Sequence, residues 1–149
     1  MLTTIEKVIF LQNVDVFADV PTEDLAYLAA IAEEIKHEKD DVIYNKDDQS
    51  DALYVVLDGK VQLHIDENVV TTAETNDAFG TWALFDEEPR VTTATPLEDS
   101  KLIRIDREDF YDLLSDHGQI TQAIFKTIVK KFRGLVEKFE TESLKRSTN

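Results

Sequence analysis

One arginine in this chain sits where it can meet an anion. Residues 79–97 read Phe-Gly-Thr-Trp-Ala-Leu-Phe-Asp-Glu-Glu-Pro-Arg-Val-Thr-Thr-Ala-Thr-Pro-Leu. Gly80 lets the backbone come close to a ligand, and residues 81–85 have the length of one short helical turn. The start of such a turn presents N–H groups and a positive dipole end, the arrangement that holds phosphate. Beyond the turn, Arg90 supplies a permanently charged planar fork suited to phosphate oxygens. Thr92 and Thr93 add hydroxyls beside it. The chemistry this set can do is anion binding. The same Gly–turn–Pro–Arg pattern is also that of an ordinary surface loop between two strands.

Other chemistry finds little footing. The chain has no cysteine, which excludes disulfides, thiol catalysis and cysteine metal sites. His37, His64 and His117 have no second ligand-type residue at helical or finger spacing, so no metal is expected. The acidic runs 47–51 and 86–88 do not follow a calcium-loop pattern and read as solvated turns. Residues 86–88 lie close enough in sequence to Arg90 for one carboxylate to close on its guanidinium. No nucleophile–base arrangement is present, so an enzyme is not expected.

These residues need a frame. Thr3 and Glu6 form a capping box opening a helix over residues 4–11. Pro21 and Thr22 start a second, with Glu23 and Asp24 in its first turn and apolar residues at helical spacing through about Ile35. The period then becomes alternating: 42–44, 53–57, 61–65, 69–73, 91–95 and 101–105 read as short strands. Asp58-Gly59 and 66–68 are hairpin-type turns, with Gly59 and Asn68 suited to positive φ. Short strands at this spacing predict a sandwich or roll. Asp106 caps a helix running to about Ser115, with Phe110, Leu113 and Leu114 inward. Gly118 breaks the chain before a long last helix. On it Phe125, Ile128, Phe132, Leu135 and Phe139 recur at steps of three and four, widened by Ile124, Val129 and Val136. That stripe packs either on the domain itself or on a partner or second copy. Residues 141–149 are polar and read as a frayed tail.

At 149 residues the chain is long enough for one domain with a real core, 42% apolar and 32% charged. The net charge of −15 is uneven: residues 1–118 carry 28 acidic and 9 basic side chains, residues 119–149 carry 3 and 7. An acidic body repels a nucleic acid backbone. No apolar run reaches membrane-span length and the start does not read as a signal peptide, so a cytoplasmic location is expected.

Phe79, Gly80, Ala83, Leu84, Pro89, Arg90 and Thr93 together resemble the phosphate-binding cassette of the cyclic nucleotide-binding domain family. Val42-Ile43, Asp48, Asp51, Leu53-Tyr54-Val55-Val56 and Gly59 resemble that family's first sheet signature, and the resemblance covers roughly residues 16–135. Asp47 stands where the signature has its first glycine. The resemblance implies an α+β fold: a β-roll of short antiparallel strands, with N-terminal helices over 1–35, the roll over 36–105, the cassette at 79–93 and C-terminal helices over 106–140. It further implies a cyclic nucleotide, cAMP or cGMP, in a site of Gly80, Thr81, Trp82, Ala83, Arg90, Val91, Thr92 and Thr93: its phosphate would sit on the N–H groups from Thr81 to Ala83 and on Arg90, Val91 and Thr92 would add backbone contacts, and Thr93 would close the strand side. In the family a Glu after the glycine accepts the ribose hydroxyl, and here that position is Thr81. Losing that charge-assisted hydrogen bond costs about 1.5–3 kcal/mol, roughly ten- to hundredfold in affinity. Trp82 beside it is bulky enough to fill or cover the site. Two readings follow: a regulatory or interaction module with a degenerate site, or a working nucleotide sensor that signals through its C-terminal helix. Regulators of the catabolite-activator type carry a winged helix-turn-helix after the long helix, and no such segment follows here, so DNA binding by that route is not expected.

Overall fold

The computed structural model describes residues 1–147. The capping box forms as expected: the Thr3 hydroxyl accepts from the Glu6 N–H at 3.2 Å, and Glu6 accepts from the Thr3 N–H at 3.1 Å, opening α1 (Thr4–Leu11). A 3-10 turn (Asp15–Phe17) leads to α2 (Thr22–Ile31). The strands are β1 (Ala32–His37), β2 (Ala52–Asp58), β3 (Lys60–Ile65), β4 (Asn68–Glu74), β5 (Ala78–Phe79), β6 (Thr93–Pro96) and β7 (Ser100–Asp106). They are followed by α3 (Arg107–Asp116) and α4 (Gly118–Ser147). The strands form two antiparallel sheets, ordered β1-β7-β2-β5 and β4-β3-β6.

Four expectations about local structure are corrected. The second helix stops at Ile31, not near Ile35, because Ala32 to His37 pair residue for residue with β7, from Ala32 opposite Ile105 to His37 opposite Ser100. That ladder outweighs the helical spacing of the apolar residues. Residues 42–44 give only a bridge of Tyr44 to Ala94. Positive φ in the β3–β4 turn falls on Asp66 at 52°, not on Asn68. The tail is helical through Ser147; the rest of the expected frayed segment, Thr148 and Asn149, lies outside the described residues.

β2 explains the layering. Its run Ala-Leu-Tyr-Val-Val is buried on both faces. Leu53 and Val55 join Leu11, Phe17, Leu25, Ile103, Ile105, Phe110 and Ile120 in the core under the helices. Ala52, Tyr54 and Val56 join Tyr44, Val61, Phe79, Ala94 and Leu102 between the sheets. A strand buried on both sides reads as a continuous apolar run.

The root of α4 is fixed by Ile120 and Ile124, both buried, and by Asp19. The Thr127 hydroxyl donates to Asp19 Oδ2 at 2.7 Å and Lys130 Nζ donates to Oδ1 at 3.0 Å. The Thr127 bond, then Lys130, holds the Asp19 carboxyl below the usual carboxylate value. A lowered pKa contributes stability above the unfolded-state value near 4 and loses it as pH falls through the folded one. Urea midpoints are therefore expected to fall on acidification below about pH 4, with a smaller fall in Asp19→Asn.

Candidate functional site

The cassette begins where β5 ends. Gly80 takes φ 70°, and a 3-10 turn (Thr81–Leu84) follows. A Cβ at Gly80 would stand 2.6 Å from Arg90 Nη1, and side-chain-bearing residues rarely adopt φ 70°, so both the backbone and the guanidinium favour glycine here. Arg107, at the start of α3, holds the loop in place: its Nη1 donates to the carbonyls of Ser50 at 2.9 Å, Ala83 at 3.1 Å and Asp86 at 2.9 Å. Ser50 Oγ donates to the Glu88 carbonyl at 2.7 Å.

Arg90 is 5% exposed. Its Nη2 donates to the Ala52 carbonyl at 2.8 Å and its Nη1 to the Gly80 carbonyl at 3.4 Å. The guanidinium carbon lies 4.0 Å from the centroid of the Tyr44 ring and 5.9 Å from that of Tyr54, within cation–π range. The nearby carboxylate is Asp51, at 3.4 Å, and not one of residues 86–88. Asp51 also pairs with Arg104 at 3.1 Å, and Arg104 with Asp106 at 3.4 Å. Arg90 Nε is buried without a hydrogen-bond partner among the described residues.

Two neighbours are tuned by this packing. Burial pushes the Tyr44 phenol up, against the opposing pull of the Arg90 charge and the Thr92 hydroxyl bonded to it. For Arg104 burial works against the charge, but a hydrogen bond with Tyr54 and the charges of Tyr54, Asp51 and Asp106 outweigh it and raise its pKa.

The other expected site residues are dispersed. Thr81 is half-buried and lines a cleft of about 270 Å³ with Leu63, Thr71, Thr72, Asn76 and Asp77; Arg90 is not among the walls of that cleft. Trp82 is 73% exposed, so its indole does not fill the interior as its bulk suggested. Ala83 is buried, Val91 is exposed, and Thr92 is buried against Tyr44. Thr93 Oγ1 accepts from the Lys46 N–H at 2.9 Å. Arg90 thus meets the Gly80 carbonyl directly and shares the Tyr44 side chain with Thr92, while Thr81 lines the cleft and Val91 is exposed to solvent. Tyr44, Arg104 and Arg107 are neighbours that sequence reasoning did not single out. The flag for Arg107 was its place one residue after a helix cap.

Asp47 adopts φ 73°, the left-handed conformation a glycine would take without strain. Its N–H donates to the Arg90 carbonyl at 2.8 Å, and the Arg90 N–H donates to Asp48 O at 2.8 Å, so the strained turn anchors the Arg90 backbone. Relieving the strain outweighs the extra unfolded-state freedom of glycine. Asp47→Gly is expected to stabilise the fold by about 0.5–1 kcal/mol in chemical denaturation.

A model of the cyclic nucleotide-binding domain matches residues 34–117, the stretch from β1 to the end of α3. The chain belongs to the cyclic nucleotide-binding domain family. Its fold matches the N-terminal domain of a transcriptional regulator from Streptomyces coelicolor A3(2), with a TM-score of 0.80 and 27% identity, covering 85% of this chain and 94% of that one. It also matches the regulatory domain of Toxoplasma gondii PKA crystallised with cAMP, with a TM-score of 0.69 and 26% identity over 76% of this chain and 45% of that one. The CRP-like cAMP-activated global transcriptional regulator of Mycobacterium tuberculosis is 22% identical over 128 residues, 83% of this chain and 57% of the regulator. The chain therefore spans a little over half the length of that curated relative. The family is regulatory in these proteins, and the β-roll with flanking helices expected from sequence is the fold found. Among the described residues no helix is long and apolar enough to cross a membrane.

Proposed function

We propose that this chain is a non-enzymatic regulatory and interaction module, one unit over residues 1–149, whose nucleotide site is degenerate. The observation that carries this reading is the engagement of Arg90 inside the protein, on Ala52 O, Gly80 O and the Tyr44 ring. An external phosphate would have to compete with these partners and with Asp51. Thr81 has no carboxylate to offer a ribose, and the acidic body disfavours an anionic guest. The module then acts through protein contacts, with the stripe of α4 as the contact surface, and neither nucleic acid nor membrane is its partner.

A second reading, a working cAMP or cGMP sensor, is favoured by one observation: the unpartnered Nε of Arg90 leaves a buried charged donor free for a ligand oxygen. In that reading the phosphate meets Gly80, Thr81, Trp82, Ala83 and Arg90, flanked by Val91, Thr92 and Thr93. Titration calorimetry with cAMP and cGMP separates the two. We expect no saturable heat at micromolar ligand, and none in Thr81→Glu, because Arg90 stays engaged. Micromolar binding by the unmodified chain would establish the sensor. Binding gained only in Thr81→Glu would assign the loss to the sugar contact alone.

A further inference from the structure

Trp82, the sole tryptophan of the chain, stands in water on a turn that is otherwise locked. Ala83 and Leu84 beside it are buried, and Arg107 holds the Ala83 and Asp86 carbonyls. The Trp82 carbonyl accepts from the Phe85 N–H at 2.9 Å and from the Asp86 N–H at 3.0 Å. Side chains three residues apart eclipse one another in a 3-10 turn, which brings Phe85, 37% exposed, to the side of the turn that carries Trp82. The Phe85 ring is braced edge-on against Phe110 in the core, with centroids 5.9 Å apart. An exposed indole on a rigid platform is covered by a partner at little cost in conformational freedom, and tryptophan leads among residues that dominate interfaces.

Size and charge decide what covers it. At roughly 150–250 Å² per aromatic side chain, the exposed parts of the two rings amount to something on the order of 200 Å². A standard interface buries about 800 Å² on each side, so this patch fits a few residues of an extended segment rather than a folded domain. Asp86, Glu87 and Glu88 follow Phe85 directly, all exposed and, among the described residues, none in an ion pair. Asp86 Oδ1 accepts from the Glu88 N–H at 3.2 Å, which leaves the Glu87 and Glu88 carboxylates to meet a cation. We propose that this lip of the cassette docks a short basic segment of another protein, with one of its arginines stacked on the Trp82 indole and paired with Glu87 or Glu88. A guanidinium suits both partners: its flat face lies on an indole and its fork matches a carboxylate. The net charge of −15 draws such a segment in. A purely apolar segment would desolvate the carboxylates without pairing them, and an anionic one would be repelled. The inference goes beyond the module reading above, since α4 has no part in it.

Because Trp82 is the sole tryptophan, its fluorescence in the full chain reports on the lip alone. The peptide acetyl-Arg-Leu-Arg-Leu-Arg-amide is expected to change the emission saturably, with half-saturation below about 1 mM at low salt, and a tenfold rise in salt should weaken it at least about fivefold. The same peptide with glutamate for each arginine should give no response. Glu87→Lys with Glu88→Lys should weaken binding at least about tenfold. Glu137→Lys with Glu140→Lys, an equal change of net charge far along α4, should weaken it less than about twofold. In calorimetry Trp82→Ala should lose the binding and Trp82→Phe keep part of it, both with the melting temperature of the parent, because the indole faces water. A flat peptide titration, equal losses from the two charge reversals, or binding retained in Trp82→Ala overturns the proposal. So does an emission that shifts with protein concentration in the absence of peptide, which would assign the lip to a second copy. Calorimetry with cAMP on the same samples tests the degenerate site separately.

Discussion

Arg90→Ala is expected to lower the unfolding free energy by about 3 kcal/mol while leaving nucleotide titrations as flat as before. The carbonyls of Ala52 and Gly80 lose a charged donor, a loss of about 1–3 kcal/mol, and the Tyr44 ring loses a cation worth about 0.5–2 kcal/mol. Asp51 contributes little to the total, because it is 58% exposed and remains paired with Arg104. For a domain of this size the melting temperature should fall by roughly 6–12 °C. Arg90→Lys keeps the charge without the fork, and recovers only part of the loss. A solvent-facing arginine waiting for a ligand behaves otherwise: its removal changes stability by no more than about 0.5 kcal/mol. Thermal unfolding of the two variants beside the parent distinguishes an internal strut from an unoccupied receptor, and a change below about 1 kcal/mol rejects the strut.

A still larger loss is expected at the β2–β3 corner. Gly59 has φ 129°, and a Cβ built there would run into Ser100, meeting its Oγ and standing 2.7 Å from its Cβ and 2.9 Å from its Cα. The obstacle includes backbone at the start of β7, the strand that pairs with both β1 and β2, so it cannot swing aside as a side-chain tip does. Gly59→Ala combines strained backbone with overpacking, and about 3–5 kcal/mol of destabilisation should appear in urea unfolding. Ser100→Gly in the same chain removes the Oγ and Cβ obstacles but not the Cα or the positive φ. It should recover part of the loss, which identifies the clash as the cause.

What was legible in the sequence depended on how local the cause was. The Thr3–Glu6 box and the Asp106 cap, where the Asp106 carboxylate accepts from the Glu108 and Asp109 N–H groups, close within a few residues. The heptad face of α4 shows in the spacing of its own residues. β1 was hidden, because its pairing partner lies some 70 residues further along the chain and nothing local ends α2 at Ile31. Asp47 marked the opposite case: its misfit to a glycine position was visible, and only the fold could say that the aspartate accepts the left-handed backbone there.

Residue patterns by themselves therefore determined a set of short strands between N-terminal and C-terminal helices and a glycine-opened turn leading to Arg90, because periods of two and three-to-four residues and short turn motifs encode these; the roll and the cassette were implied by the family resemblance. Neither determined which way Arg90 faces. That depends on Tyr44, Asp51 and Ala52, roughly forty residues away, and on whether their carbonyl, carboxylate and ring hold a buried guanidinium better than water or a ligand would. Such a competition is settled only when distant strands close together.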